Sequence, residues 1–153
     1  MDDAFQWAEK NKGLCTEESY PYTSSKGVRG SCNASCTPVP GSMPSKFTDV
    51  EANSEEALMS AVAQQPVSVA IQADQSAFQL YSSGVLTATC GTQLDHGVLV
   101  IGYGTLNGTD YWKVRNSWGT SYGMEGYVLL QRGTNETKGK CGILSGPPSY
   151  PAL

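Results

Sequence analysis

The sequence predicts an α+β fold, with a short helix first and then antiparallel strands that form a small barrel. Three observations carry this. Apolar residues near the N-terminus sit at helical spacing, whereas Val67–Ile71 alternates with a period of two and is followed by further strand-like runs. Glycine-containing turns separate those later runs. Only 16% of the residues are charged, while Gly (17), Pro (8) and Tyr (8) are plentiful, which favours strands and ordered loops over a coiled coil or a disordered tail.

Residues 2–12 read as the helix. Asp2 and Asp3 suit its positive end, Lys10 and Lys12 its negative end, and Gly13 can cap it. Phe5, Trp7 and Ala8 supply an apolar face. The helix opens at residue 1 with no cap before Met1, so the chain is expected to start inside a larger domain. Residues 14–45 carry dense turn punctuation, including Tyr20-Pro21-Tyr22 and Pro40-Gly41, and predict an extended, disulfide-pinned excursion without helix. Ser54 is the expected N-cap of a second helix, with Glu55 and Glu56 in its first turn, Leu58 and Val62 on one face, and Pro66 beyond its end. Val67–Ile71 alternates as a strand with one buried face. Asp74 is expected to cap a short helix carrying Phe78 and Tyr81. Three further strands are predicted at His96–Tyr103, Tyr111–Ser117 and Tyr127–Gln131, with turns at Gly104–Gly108 and Gly119–Gly123.

At 153 residues the chain fits one domain with a modest core. Its formal charge of -4 and lack of a basic stripe argue against nucleic acid as a partner. No window is apolar enough to span a membrane as a helix. Asp2 and Asp3 stand where a signal peptide would be positive. Five cysteines (Cys15, Cys32, Cys36, Cys90, Cys141) lie in turn-like sequence, and none lies in an apolar run. Three N-x-[ST] sequons, at Asn33, Asn107 and Asn135, combine with them to favour a secretory or lysosomal history. Chance sequons in a chain rich in Gly, Ser and Thr are the alternative. An odd number of cysteines leaves one free or paired outside the chain.

His96 is the single histidine, so histidine-dependent chemistry must use it. It stands at the mouth of an apolar strand in Leu94-Asp95-His96-Gly97-Val98, and Asn116 closes the next strand in Val114-Arg115-Asn116-Ser117-Trp118-Gly119. Adjacent antiparallel strands can bring these ends together. A general base needs its imidazole held in one tautomer and one orientation. A carboxamide oxygen does this without adding negative charge, and leaves the other ring nitrogen for a thiol proton. Trp118 can cover the pair against water. The competing reading is a strand-end histidine satisfied by a backbone carbonyl, with Asn116 as a turn residue.

Residues 94–104 (LDHGVLVIGYG) and 111–127 (YWKVRNSWGTSYGMEGY) resemble the histidine and asparagine signatures of papain-like cysteine peptidases, nearest the cathepsin L type. The resemblance extends through Glu17–Tyr22, Gln65–Ile71, Cys141–Ile143 and Ser149–Pro151, and so covers essentially the whole chain. It implies a partial helical left domain over residues 1–45 and a β-barrel right domain with a C-terminal strap over 46–153. His96 matches the catalytic base and acid, Asn116 the residue that orients it, and Trp118 the shielding indole. Met1, Ala70, Leu94 and Gly146 match the S2 pocket, which would favour an apolar or aromatic side chain. Cys90 and Cys141 match the barrel disulfide. Tyr122 departs from the pattern, which usually has a second Trp there; with Met124 nearby, this puts the shape of the leaving-group side in question.

The resemblance also implies what these residues lack. The family nucleophile sits in a C-G-S-C-W-type segment with His ~130–150 residues downstream. His96 comes too early, which puts the nucleophile roughly 35–55 residues before residue 1. The expectation is therefore the C-terminal part of an endopeptidase, with the isolated piece inactive and its inner apolar edges exposed. Two of Cys15, Cys32 and Cys36 are expected to pair, with Cys32 as the orphan. Protein and peptide substrates, the N-terminal part of the same enzyme and cystatin-type inhibitors are the implied partners, and a lysosomal or secreted location the implied site. No cofactor or metal is implied, because a Cys32, Cys36 and His96 set is a poor zinc pattern. A non-catalytic peptide- or inhibitor-binding remnant is the alternative. A serine hydrolase pairing Asp95 with His96 is disfavoured, since strand neighbours point to opposite faces and no G-x-S-x-G occurs.

Overall fold

Alternate side chains of the strand Val67–Ile71 behave as its sequence predicts. Val67, Val69 and Ile71 are fully buried, while Ser68 and Ala70 are only half-buried. In this computed structural model residues 1–32 and 35–152 are described. The sequon asparagine Asn33 lies outside them. The elements in chain order are α1 (Asp2–Lys10), β1 (Lys46–Asp49), α2 (Glu55–Val62), β2 (Val67–Ile71), α3 (Ser76–Gln79), β3 (Val85–Leu86), β4 (His96–Leu106), β5 (Thr109–Arg115), β6 (Tyr127–Gln131) and β7 (Ser149–Ala152), with a 3-10 turn at Lys140–Gly142 before β7.

The chain divides into two units, Met1–Thr48 with the residues from Pro151, and Asp49–Tyr150. In the first, α1 ends at Lys10, two residues before the predicted end, with Asn11 and a left-handed Gly13 (φ 114°) closing it. Phe5 stacks on Phe47 with ring centroids 5.8 Å apart, and Trp7 is exposed. Residues 14–45 hold no helix among those described. A Cys15–Cys36 disulfide pins them, and Cys32 is exposed and unpaired. The Ser42 hydroxyl donates to the Val39 carbonyl at 2.7 Å and accepts from the Leu14 N–H at 2.8 Å, which closes the base of the excursion.

The second unit holds the sheet. Ser54 caps α2, its hydroxyl accepting from the Ala57 N–H at 3.2 Å. Strand β2 pairs antiparallel with β4, setting Val67 opposite Val100 and Ile71 opposite His96. Strand β4 pairs with β5, β5 with β6, and β2 with β7 at Ser68 and Ser149. Strand β3 adds to β6 in parallel, an exception to the predicted antiparallel order. Leu58, Val67, Val69, Ile71, Val100, Trp112, Val114, Val128, Leu130 and Ile143 fill the core. Each of these fully buried apolar side chains contributes roughly 1.5–3 kcal/mol.

Three local expectations are corrected. Strand β4 runs on through Gly104, which pairs with Tyr111, and turns only at Asn107-Gly108. Two residues with positive φ suffice for a tight hairpin, so no longer turn is needed. Strand β5 ends at Arg115, and Ser117 is already loop. Asp74 does not cap α3; Gln75 holds the N-cap position without a side-chain cap bond, and the Asp74 carboxylate accepts from the amides of Gln72 (2.8 Å) and Gln75 (2.9 Å). Cys90 and Cys141 form the disulfide that the resemblance implies, buried at the edge of the core.

Candidate active site

Strand β4 starts at His96, and the residues before it are tied to the end of β2. The Asp95 N–H donates to the Ile71 carbonyl (3.0 Å), and the Asp95 carboxylate accepts from the Ala73 N–H (2.8 Å). Asp95 is therefore spent on the backbone and makes no pair with His96. Buried Gln72 extends the brace. Its N–H donates to the Cys141 carbonyl (2.8 Å), and its Oε1 accepts from the Gln93 N–H (2.7 Å). Sequence reasoning missed this glutamine; its burial beside apolar β2 is not encoded locally.

Arg115 at the end of β5 pairs with Leu99, so Asn116 falls beside the first residues of β4. The Asn116 N–H donates to the Gly126 carbonyl at 2.9 Å, which anchors the residue as β5 leaves the sheet. Its Oδ1 lies 2.8 Å from His96 Nε2 and also accepts the Ser117 N–H at 2.8 Å. A carboxamide oxygen can only accept, so Nε2 carries the hydrogen, and Nδ1 is left for proton transfer. Asn116 is buried and His96 half-buried.

Trp118 stacks on His96 with ring centroids 5.2 Å apart and planes inclined by 29°. Phe78 and Tyr122 meet the indole edge-on at 5.4 and 5.0 Å. The Tyr122 hydroxyl donates to the Phe78 carbonyl at 2.9 Å. Burial pushes this phenol far above its ordinary value of 10.0; neighbouring Tyr81 adds to the rise, and the Asn116 carboxamide opposes it. The loop from Ser117 to Gly126 that carries both aromatics depends on Gly123 (φ 53°), where a Cβ would lie 2.5 Å from the Tyr127 carbonyl.

The S2 candidates of this unit converge. A Cβ on Gly146 would sit 2.9 Å from Leu94 Cδ1 and 3.7 Å from Ala70 Cβ, so the glycine keeps open the space those side chains border. Met1 belongs to the first unit, as the residue preceding α1. Cys90 and Cys141 are joined, and Cys36 is bonded to Cys15, so it offers nothing to a metal with Cys32 and His96. Among the described residues, no group of three or more His, Cys, Asp or Glu could hold a metal ion, and no helix is long and apolar enough to cross a membrane.

The model of the papain family of cysteine proteases matches residues 1–151. The chain is 53% identical to the oryzain beta chain of Oryza sativa subsp. japonica over 99% of its own length and 32% of that protein. It is 48% identical to the KDEL-tailed cysteine endopeptidase CEP2 of Arabidopsis thaliana over 99% of its length and 41% of that protein. Among solved structures, the bromelain protease from Ananas comosus, in complex with the E64 inhibitor, superposes with a TM-score of 0.89 at 37% identity, covering 99% of this chain and 68% of the other. The Amb a 11 cysteine protease of ragweed pollen in its proform gives a TM-score of 0.87 at 38% identity, covering 100% and 45%. The chain thus spans about a third to two fifths of the curated relatives. The fold is papain-like, and the chain belongs to the papain family of cysteine proteases.

Proposed function

We propose that the whole protein is a cysteine endopeptidase and that this chain supplies its proton-handling half. The observation that carries this is the 2.8 Å contact between His96 Nε2 and Asn116 Oδ1 beneath the stacked Trp118. His96 acts as base and acid through Nδ1, Asn116 fixes its tautomer and orientation, and Trp118 shields the bond. The nucleophile is assigned to a segment outside this sequence. Four of the five cysteines here are in disulfides, and Cys32 stands exposed among turns of the first unit.

In this scheme the thiolate adds to the peptide carbonyl and forms a carbon–sulfur bond. His96 then gives its proton to the departing amine as the carbon–nitrogen bond breaks. Water, deprotonated by His96, releases the acid from the thioester. Ala70, Leu94 and Gly146 border the S2 pocket and select an apolar or aromatic side chain. Cystatin-type inhibitors fit the same cleft. A lysosomal or secreted location is supported by two disulfides and by exposed sequon asparagines at 107 and 135.

The test uses the protein expressed from its complete coding sequence. It should cleave a leucyl peptide, and the E64 inhibitor that the bromelain structure holds should stop it. His96→Ala should lower turnover about 10²–10⁴-fold. Peptide binding without cleavage would favour the non-catalytic reading. Turnover that survives His96→Ala would contradict the proposal.

A further inference from the structure

We infer that Gly142 is a specificity-determining residue: its missing side chain seats Leu94, and through Leu94 it sets the width of the S2 pocket. This rests on the proposed S2 role of Ala70, Leu94 and Gly146. Gly142 itself is buried, at the end of the Lys140–Gly142 turn.

Leu94 lies between two glycines. A Cβ on Gly146 would meet Leu94 Cδ1 at 2.9 Å, and a Cβ on Gly142 would meet Leu94 Cδ2 at 2.9 Å. Each methyl of the isobutyl group therefore rests over one glycine. Carbon atoms pack best at about 3.5–4.0 Å, so a methyl at position 142 demands a shift. Ser145 Oγ and the Thr92 Cα, each 3.2 Å from that Cβ, crowd it further.

The backbone is tied on both sides of the contact, so the shift falls on the Leu94 side chain. The Gly142 carbonyl accepts from the Ser145 hydroxyl (2.7 Å) and the Ser145 N–H (2.9 Å), and the Gly142 N–H donates to the Gly139 carbonyl (3.0 Å). Cys141 is bonded to Cys90, and its carbonyl accepts the Gln72 N–H at 2.8 Å. On the other side, the Gln93 N–H is held by Gln72 Oε1 (2.7 Å) and the Asp95 N–H by the Ile71 carbonyl (3.0 Å). Leu94 is 39% exposed, so its end can turn where its backbone cannot. Pushed at Cδ2, it turns toward Gly146 and Ala70 and narrows the pocket they border.

The test is kcat/KM of the full-length protein on peptides with Ala, Leu or Phe at the S2-binding position. Gly142→Ala should lower the values for Leu and Phe about ten-fold or more relative to Ala. Gly142 has φ 76°, so alanine there also strains the backbone; Gly133 (φ 69°) has nothing within 4 Å of its Cβ, and Gly133→Ala, which carries the strain alone, should leave the ranking unchanged. In a Leu94→Ala background Gly142→Ala should change the ranking no further. An unchanged ranking in Gly142→Ala where Gly146→Val alters it, or an equal change in the Leu94→Ala background, would overturn the inference. If Gly146→Val also leaves the ranking unchanged, the S2 reading fails and this inference with it. Should Gly142→Ala fail to fold, methyl NMR of the wild type decides. Leu94 should show two well-separated δ-carbon shifts, the mark of one rotamer, and a nuclear Overhauser contact from one methyl to the Gly142 α-protons; averaged shifts or no contact would refute the seat. Were the protein to bind these peptides without cleaving them, their affinities should show the same change of ranking, and only the peptidase reading would be lost.

Discussion

The Asp95 carboxylate accepts the Ala73 N–H at 2.8 Å while the Asp95 N–H donates to the Ile71 carbonyl at 3.0 Å, so one residue closes both sides of the corner where β2 faces β4. Ala73 is buried, and its N–H would lose this partner in Asp95→Ala. The cost should be about 1–2 kcal/mol, seen as a lower urea midpoint. Asp95→Asn keeps an acceptor and should cost less. Were Asp95 instead a charge partner of His96, both variants would lose activity equally.

Gly146 decides how much room the pocket beside Leu94 and Ala70 has. A Cβ there would press on Leu94 Cδ1 at 2.9 Å. Gly146→Val in the full-length enzyme should lower kcat/KM for substrates with Leu or Phe at the S2-binding position by about 10–200-fold relative to Ala. Comparison of three peptides checks this, and an unchanged ranking would place the pocket elsewhere.

Tyr81 and Tyr122 share one titration behaviour. Burial raises both phenols; at Tyr81 the Leu129 N–H opposes the rise, and at Tyr122 the Asn116 side chain does. Raised folded values mean that the stabilisation is fully present below the unfolded value of about 10 and is lost as pH climbs through and beyond it. Thermal melts should therefore fall steeply above about pH 10. Tyr122→Phe should flatten that fall, even though it lowers stability at neutral pH. A pH-independent melting temperature between about 9 and 11 would contradict this account.

Much of this architecture is legible locally, and the remainder has identifiable causes. Strand β2 and the cap at Ser54 announce themselves, because alternation and capping are local chemistry. Strands β1, β3 and β7 do not. Lys46-Phe47-Thr48-Asp49 is mostly polar, β3 has two residues, and β7 contains Pro151. They are strands because distant partners make them so, as Leu129 does for Val85 and Ser68 for Ser149. His96 and Asn116 were readable as neighbours because each sits at the end of an apolar strand. The roles of Gln72 and of Gly142 depend on loop geometry that no spacing encodes.

Asn107 stands at an exposed hairpin tip with φ 51°, and Asn135 in an exposed loop. Passage through the secretory route should leave N-linked glycan on at least one of them. Peptide N-glycosidase should then lower the mass of the native protein. Two unmodified asparagines would count against that route.

The most direct measurement is the kinetics of Asn116→Ala in the full-length protein. Asn116 touches His96 and is not expected to meet the substrate's side chains, so kcat should fall by roughly 10- to 100-fold while KM changes little. A raised KM with kcat intact would mean that Asn116 only binds substrate, and would contradict its role in holding the imidazole.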